Sequence, residues 1–432
     1  MQAWPLLSGR AGVLLLCSID ESNGPVQARP HPAPPRNQRI LRQPVSTLEA
    51  DRQEMLHCSA IGSNSCTERV HLRKAGPDIA GKLTVAIAVD LVLATRPNAS
   101  TGIERYAINL FKAMREHAPD TVAFVDRRST VLDGPNVIAV DGGFRGWLAL
   151  PRSQAFRDVD CDALVCPAFP SSPLALLGKA PVFRIIHDDF PWTRGEAMNL
   201  RGRFLFKHCE AAMARRYGDV MAPTTLMADS LSAILHRPVG TIGNAPGIDL
   251  SLAPAPDRGQ AQIIAVGTIE PRKNYDAVLD LAEALPAPWR VQIVGRRGWG
   301  PIAETWDSRL ARHEARVEWH GHASDAALLG LYQSADCFVS MSLAEGFNMP
   351  LVEAASLGLP VVCSDIEIHR RVAPPWARFA PLSISAADLA AIVREAAATP
   401  PSAQDVAHYA HAFSWGGIAQ ALIGRIKAAR AK

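Results

Sequence analysis

A run of apolar and β-branched residues, Leu83-Thr-Val-Ala-Ile-Ala-Val89, stops at Asp90, and a stretch of helical period follows. That succession constrains the fold more than any other feature. A run with no polar alternation reads as a strand covered on both faces, which is the signature of a parallel sheet. Asn98-Ala-Ser-Thr-Gly102 reads as a loop, and Ile103 to His117 as a helix whose stripe holds Ile103, Tyr106, Ala107, Leu110, Phe111 and Met114. Strand-like runs return at 121–125, 163–166 and 182–186, with helical stretches between them. The alternation predicts an α/β architecture in which helices cover an open parallel sheet.

A second unit of the same kind starts near Gln262, with strands expected at 263–266, 291–294, 317–320, 337–339 and 360–363. Residues 251–260 are rich in proline and small residues and read as a linker between domains spanning 82–250 and 261–410. Residues 411–432 form a last helix that is expected to cross back to the first domain. Two doubly wound Rossmann-like domains would face each other across a cleft at the C-terminal ends of their strands, where such sheets bind ligands.

Residues 1–81 differ. They hold eight of the 33 prolines, including those in Pro30-His-Pro-Ala-Pro-Pro35, and no period persists. They read as a poorly ordered extension. A tail with its own partner and an upstream start codon are both open, and the second is the expectation. Ala11–Cys17 is short for a signal peptide, and no apolar run approaches the roughly 20 residues of a spanning helix. The eight cysteines form no C-x-x-C pair and no zinc-finger spacing, as in a cytoplasmic protein with scattered thiols. A formal charge of +3 in 432 residues gives no reason to expect nucleic-acid binding.

Three segments carry chemistry. In Ser342–Gly358, Pro350 suits a helix start and Gly358 a stop. Glu345 falls in the loop before that helix and Glu353 is expected on its first turn. Free N–H groups and the macrodipole at the helix start favour a phosphate, and a carboxylate accepts from paired sugar hydroxyls. Gly267-Thr-Ile-Glu-Pro-Arg-Lys-Asn274 places Arg272 and Lys273 after a strand, where a basic pair can neutralise a diphosphate. Gly295-Arg-Arg-Gly298-Trp-Gly300 also follows a strand, but its spacing is not that of a dinucleotide loop.

In this order these segments resemble the retaining glycosyltransferases of the GT-B fold, family 4. Gly102-Ile-Glu-Arg-Tyr106, Ile186-His187-Asp188 and Phe413-Ser-Trp415 extend the resemblance over roughly Leu83 to the C-terminus. The resemblance implies that Arg272 and Lys273 hold the diphosphate of a nucleoside-diphosphate sugar and that Glu353 binds its ribose. It implies Glu345, with the backbone of Gly346 and Phe347, at the transferred sugar, and Gly102 where the first loop nears the diphosphate. His187 and Asp188 would flank the reacting face. Thr101 and Asn348 depart from the family, which commonly has glycine at both places.

The expected reaction moves a hexose, mannose from a GDP donor first, to a glycan or lipid-linked acceptor in surface polysaccharide assembly. The diphosphate leaves as a stable anion, so no metal and no cofactor beyond the donor is expected. A sugar-nucleotide epimerase and a catalytically silent binding subunit are the alternatives. Arg194, Arg201, Arg203, Lys207, Arg215 and Arg216 around Phe204-Leu-Phe206 suggest peripheral contact with an anionic membrane, as on the inner face of the cytoplasmic membrane.

Overall fold

The structure, a computed structural model, describes residues 85–97, 101–193, 204–251 and 261–431. The expected N-terminal extension, nearly all of the expected linker, and Arg194, Arg201 and Arg203 of the basic patch lie outside the described residues.

Two parallel sheets organise the chain. The first contains β1 (Ile87–Asp90), β2 (Val122–Asp126), β3 (Val137–Val140), β4 (Ala163–Cys166), β5 (Val182–Ile185), β6 (Asp219–Ala222) and β7 (Gly240–Thr241), in the order β3-β2-β1-β4-β5-β6-β7. The second contains β8 (Gln262–Val266), β9 (Arg290–Val294), β10 (Val317–Trp319), β11 (Cys337–Ser340), β12 (Val361–Ser364) and β13 (Arg378–Ala380), in the order β10-β9-β8-β11-β12-β13. Each order runs one way from its first strand and then the other. That is the doubly wound arrangement, with its crevice where the order turns, between β1 and β4 and between β8 and β11. All four residues of β1 are buried, as the unbroken apolar run requires.

The expected strands are present with ends shifted by a few residues. β1 starts at Ile87, and the Ala86 N–H donates instead to the Asp162 carboxylate (2.9 Å). β3, β6, β7 and β13 were not anticipated. β13 is a partly exposed edge that opens on a charged residue, β7 has two residues, and β6 opens on a charged one; β3, the other edge, is a four-residue apolar run, Val137-Ile-Ala-Val140, that went unread.

Each sheet has helices on both faces and two apolar clusters. The helix Gly102–His117 buries Tyr106, Leu110, Phe111 and Met114 on one face of the first sheet. Chain passage between the domains runs near Pro246 and Gly247. Ile242 and Ala245 pack in the first domain's core, and Ile248 in the second's.

The last helix, Trp415–Arg430, is capped by Ser414 and packs against Gly102–His117. Its Ile418, Ala419, Leu422, Ile423 and Ile426 are part of the first domain's core. The C-terminus therefore returns to the domain where the chain's described part begins. Leu422 is fully buried there. Leu422→Ala is expected to cost about 2–5 kcal/mol in urea unfolding, because the cavity between two packed helices can collapse only in part.

Candidate active site

β8 and β11 are neighbours at the point where the second sheet's order turns. The loop after β8 tightens into a 3-10 turn, Pro271–Lys273, which ends on Asn274 in the left-handed region (φ 52°). Pro271 has no N–H to lose at that start and fixes its own φ. The turn sends Arg272 and Lys273 toward the loop after β11, and the Leu343 N–H closes the approach by donating to the Arg272 carbonyl (2.7 Å).

The two loops meet at Glu345. Its Oε2 accepts from Arg272 Nη1 (2.5 Å), and its Oε1 from Lys273 Nζ (2.6 Å) and Ser342 Oγ (2.7 Å). Arg272 also pairs with Glu270 (2.5 Å) and lies over the Phe190 ring at 5.2 Å. Burial pushes the Glu345 pKa up, but Arg272, Lys273 and Ser342 outweigh it and hold the group at about 2. Burial lowers the Lys273 pKa, with Glu345 opposing.

The helix after this loop is Met349–Ser356, with Pro350 in its first turn and Gly358 (φ 78°) just past its end. Glu353 is its fifth residue and so stands in the second turn, not the first. The helix starts at Met349, one residue before the expected position. Glu353 is buried, and both its oxygens have partners inside the chain. Oε1 accepts from the Gly247 N–H (2.9 Å) and Oε2 from the Tyr332 hydroxyl (2.8 Å). Burial raises its pKa against those two hydrogen bonds. The carboxylate lines an open pocket together with Gly102, Arg105, Gly295, His322 and Met349. Its remaining lone pairs can still accept from a ligand hydroxyl there.

The first domain supplies the facing wall. Gly102 opens its helix opposite Met349, and a Cβ at Gly102 would stand 3.4 Å from Met349 Sδ. Two helix N-termini therefore converge on the pocket. Gly346 approaches the carbonyl of His187 so closely that a Cβ would lie 2.4 Å from that oxygen, so only glycine fits. Phe347 is buried and packs edge-on to Phe413 (5.9 Å).

The His187 Nε2 lies 2.7 Å from the Pro167 carbonyl oxygen. A carbonyl only accepts, so the proton is on Nε2 and Nδ1 is an acceptor. Burial lowers this imidazole to about 4, so it is neutral at physiological pH. Asp188 is half-buried, accepts from the Phe190 N–H (3.3 Å) and is pushed up by burial to about 6, with Arg272 opposing. Tyr106 packs edge-on to both His187 (4.6 Å) and Trp415 (5.0 Å), so three motifs distant in sequence share one aromatic stack.

The structure thus gathers Arg272, Lys273 and Glu345 into one cluster, sets Gly346 of the second domain against His187 and Asp188 of the first, and puts Gly102 and Glu353 in the adjoining pocket. Sequence reasoning gave no role to Arg105, although it lies within Gly102–Tyr106. It reaches across the pocket to Asp325 of the second domain (2.7 Å). Ser342 opens the Ser342–Gly358 segment but was given no role, and Tyr332 and His369 carried no signal at all. In the basic patch, Phe206 packs toward Phe169 (6.2 Å) and Arg216 donates to the Leu176 carbonyl (3.1 Å). Among the described residues the expected helix there includes a π-helical turn, Phe204–Cys209. Among the described residues no helix is long and apolar enough to cross a membrane, and no three His, Cys, Asp or Glu side chains gather as a metal site.

The Glu345 charge is a stability term whose sign is set by its lowered pKa. Its contribution is fully present above the ordinary value of 4.5 and is lost as pH falls toward about 2. Thermal melts of wild type and Glu345→Gln are therefore expected to differ most above pH 5 and to converge by about pH 2. A constant gap would show that the carboxylate is not held by the two cations.

Residues 253–413 match the family described as glycosyl transferases group 1. O-antigen chain mannosyltransferase B of Escherichia coli is 35% identical over 111 residues, 25% of this chain and 29% of that protein. Serotype-specific mannosyltransferase WbdA of Escherichia coli is 30% identical over 161 residues, 36% of this chain and 17% of that protein. The matches thus span under a third of these relatives' lengths. Among solved structures, Anabaena Alr3699/HepE in complex with UDP-glucose superposes with a TM-score of 0.60 at 15% identity, covering 80% of this chain and 100% of the other. WaaG, a glycosyltransferase involved in lipopolysaccharide biosynthesis, superposes with a TM-score of 0.55 at 15% identity over 79% and 99%. The chain carries the GT-B fold, and the match to glycosyl transferases group 1 falls on its second domain, residues 253–413.

Proposed function

We propose that the protein is a retaining glycosyltransferase that moves a hexose, mannose first, from a nucleoside-diphosphate sugar to a glycan or lipid-linked acceptor in surface polysaccharide assembly. The observation that carries this reading is the Arg272–Lys273–Glu345 cluster beside a pocket onto which two helix N-termini open. The group 1 match and the relatives named as mannosyltransferases support the reaction class and the first choice of sugar. The named role of WaaG supports the setting.

A nucleoside diphosphate departs with its charge already stabilised, so the site has to neutralise an anion more than deliver a proton. Arg272 and Lys273 supply fixed positive charge, and the start of Met349–Ser356 supplies N–H groups. No metal is required in this scheme. Glu345 is a poor nucleophile, because both its oxygens are held by cations and its pKa is about 2. Retention is then assigned to attack by the acceptor on the face the leaving group departs from, not to a covalent carboxylate intermediate. His187 carries its proton toward Pro167, so its Nδ1 accepts a hydrogen bond from a sugar hydroxyl and orients the ring. Glu353 holds the ribose. Action at the cytoplasmic face of a membrane, with contact to anionic lipid, completes the proposal.

Calorimetry with GDP and UDP, followed by a donor screen read as product mass against a lipid-linked acceptor pool, tests it. Arg272→Ala with Lys273→Ala is expected to abolish transfer while circular dichroism stays unchanged, and near-normal transfer would refute the diphosphate clamp. Glu353→Ala is expected to weaken nucleoside-diphosphate binding about tenfold or more, in keeping with the loss of charged hydrogen bonds. Unchanged affinity would remove the ribose role. A silent subunit would bind neither nucleotide.

A further inference from the structure

Asn348 stands at the N-cap of Met349–Ser356 with φ 78° and ψ 66°, in the left-handed region, and it is 4% exposed. A residue with a Cβ is strained there by about 1 kcal/mol or more, so something must hold it. Its side chain does not cap the helix. Nδ2 donates instead to Ser340 Oγ (3.0 Å) and to His369 Nε2 (2.8 Å).

His369 is fully buried. Its Nδ1 lies 2.9 Å from the Ser364 carbonyl oxygen, which can only accept. The ring proton is therefore on Nδ1, Nε2 is a lone pair, and the Asn348 amide has one permitted orientation. That orientation leaves Asn348 Oδ1 buried without a hydrogen-bond partner, a penalty the arrangement carries. The network continues toward the cation cluster. Ser340 Oγ lies 3.3 Å from Ser342 Oγ, which donates to Glu345, and Ser364 Oγ donates to the Ser342 carbonyl (2.5 Å).

We infer that His369 and Ser340 are positioning residues for the donor: by gripping Asn348 they fix its left-handed backbone and so aim the start of Met349–Ser356 at the donor's phosphates. The inference rests on the proposed donor site. Neither residue lines the pocket, so their effect on a donor there passes through one backbone conformation. Glycine reaches that conformation without a grip.

The test is a double-substitution cycle read as the dissociation constant for GDP or UDP, whichever binds wild type more tightly. His369→Leu is expected to weaken binding about tenfold in the wild-type background, the loss expected of one or two hydrogen bonds. In the Asn348→Gly background the same substitution is expected to change binding less than about twofold, because the grip has nothing left to hold. A merely structural role for His369 would give equal factors in both backgrounds, and that result overturns the inference. Ser340→Ala, a smaller change, is run through the same cycle and decides the matter if His369→Leu does not fold. Wild type that binds neither nucleotide overturns the donor reading itself. Normal wild-type binding with equal factors overturns only the positioning role.

Discussion

Glu345 carries its charge where burial alone would neutralise it, and Arg272 and Lys273 keep it ionised. The three side chains come from the loops after β8 and β11, so the contact ties together two strand ends at the point where the sheet's order turns. Removing one partner would leave a buried charge unpaired, at about 3–5 kcal/mol, which is more than the intact pair adds over an apolar replacement. The cluster is therefore better explained by placement than by stability. Both cations are ordered before any anion arrives, and Glu345 holds them there. Reorganisation that a flexible pair of side chains would need at the moment of reaction has already been done.

The same cluster depends on the first domain. Arg272 lies over Phe190, and Gly346 meets the His187 carbonyl at a distance that admits no side chain. Arg105 crosses to Asp325, and Glu353 takes the N–H of Gly247 in the segment between domains. The C-terminal helix then returns to the first domain, where Trp415 donates to the Pro246 carbonyl (2.8 Å) and packs on Tyr106. Tyr106 in turn packs on His187. The connection between domains is thus braced from both sides near Pro246 and Gly247, and the brace ends at the imidazole on the cleft wall.

What could be read from the sequence follows a physical rule. Strands covered on both faces, such as Ala163–Cys166, were legible because burial removes every polar residue from the run. The edge β13 was not, because a half-exposed strand keeps mixed residues, and β3 went unread although Val137–Val140 is apolar throughout. Arg272, Lys273 and Glu345 were singled out by residue type in the loops that follow buried strands, and the resemblance of the surrounding motifs assigned them to the crevice. The partners of Glu353 were not, since Gly247 lies 106 residues away. Asn348 looked like a departure in the sequence. In the structure it occupies the left-handed region that glycine favours, and Ser340 and His369, one before it and one after it in the chain, supply what a side chain needs in order to stay there. A broken local rule was visible, but its compensation was not.

The protonation states divide the labour between the two walls. The second domain presents permanent charge: Arg272 is held protonated by Glu345 and Glu270 against burial, and Glu345 is ionised at any ordinary pH. The first domain presents His187, neutral with its proton engaged, and Asp188, which titrates near 6. A neutral imidazole costs less there than a charged one, which burial and Arg184 both oppose. It also cannot give its Nε2 proton to a leaving group without losing the Pro167 hydrogen bond. In the proposed reaction, stabilising the departing anion would then fall to Arg272, Lys273 and the helix start, and orienting the sugar to His187. That separation suits a reaction whose leaving group is acidic and whose acceptor must approach from the same side.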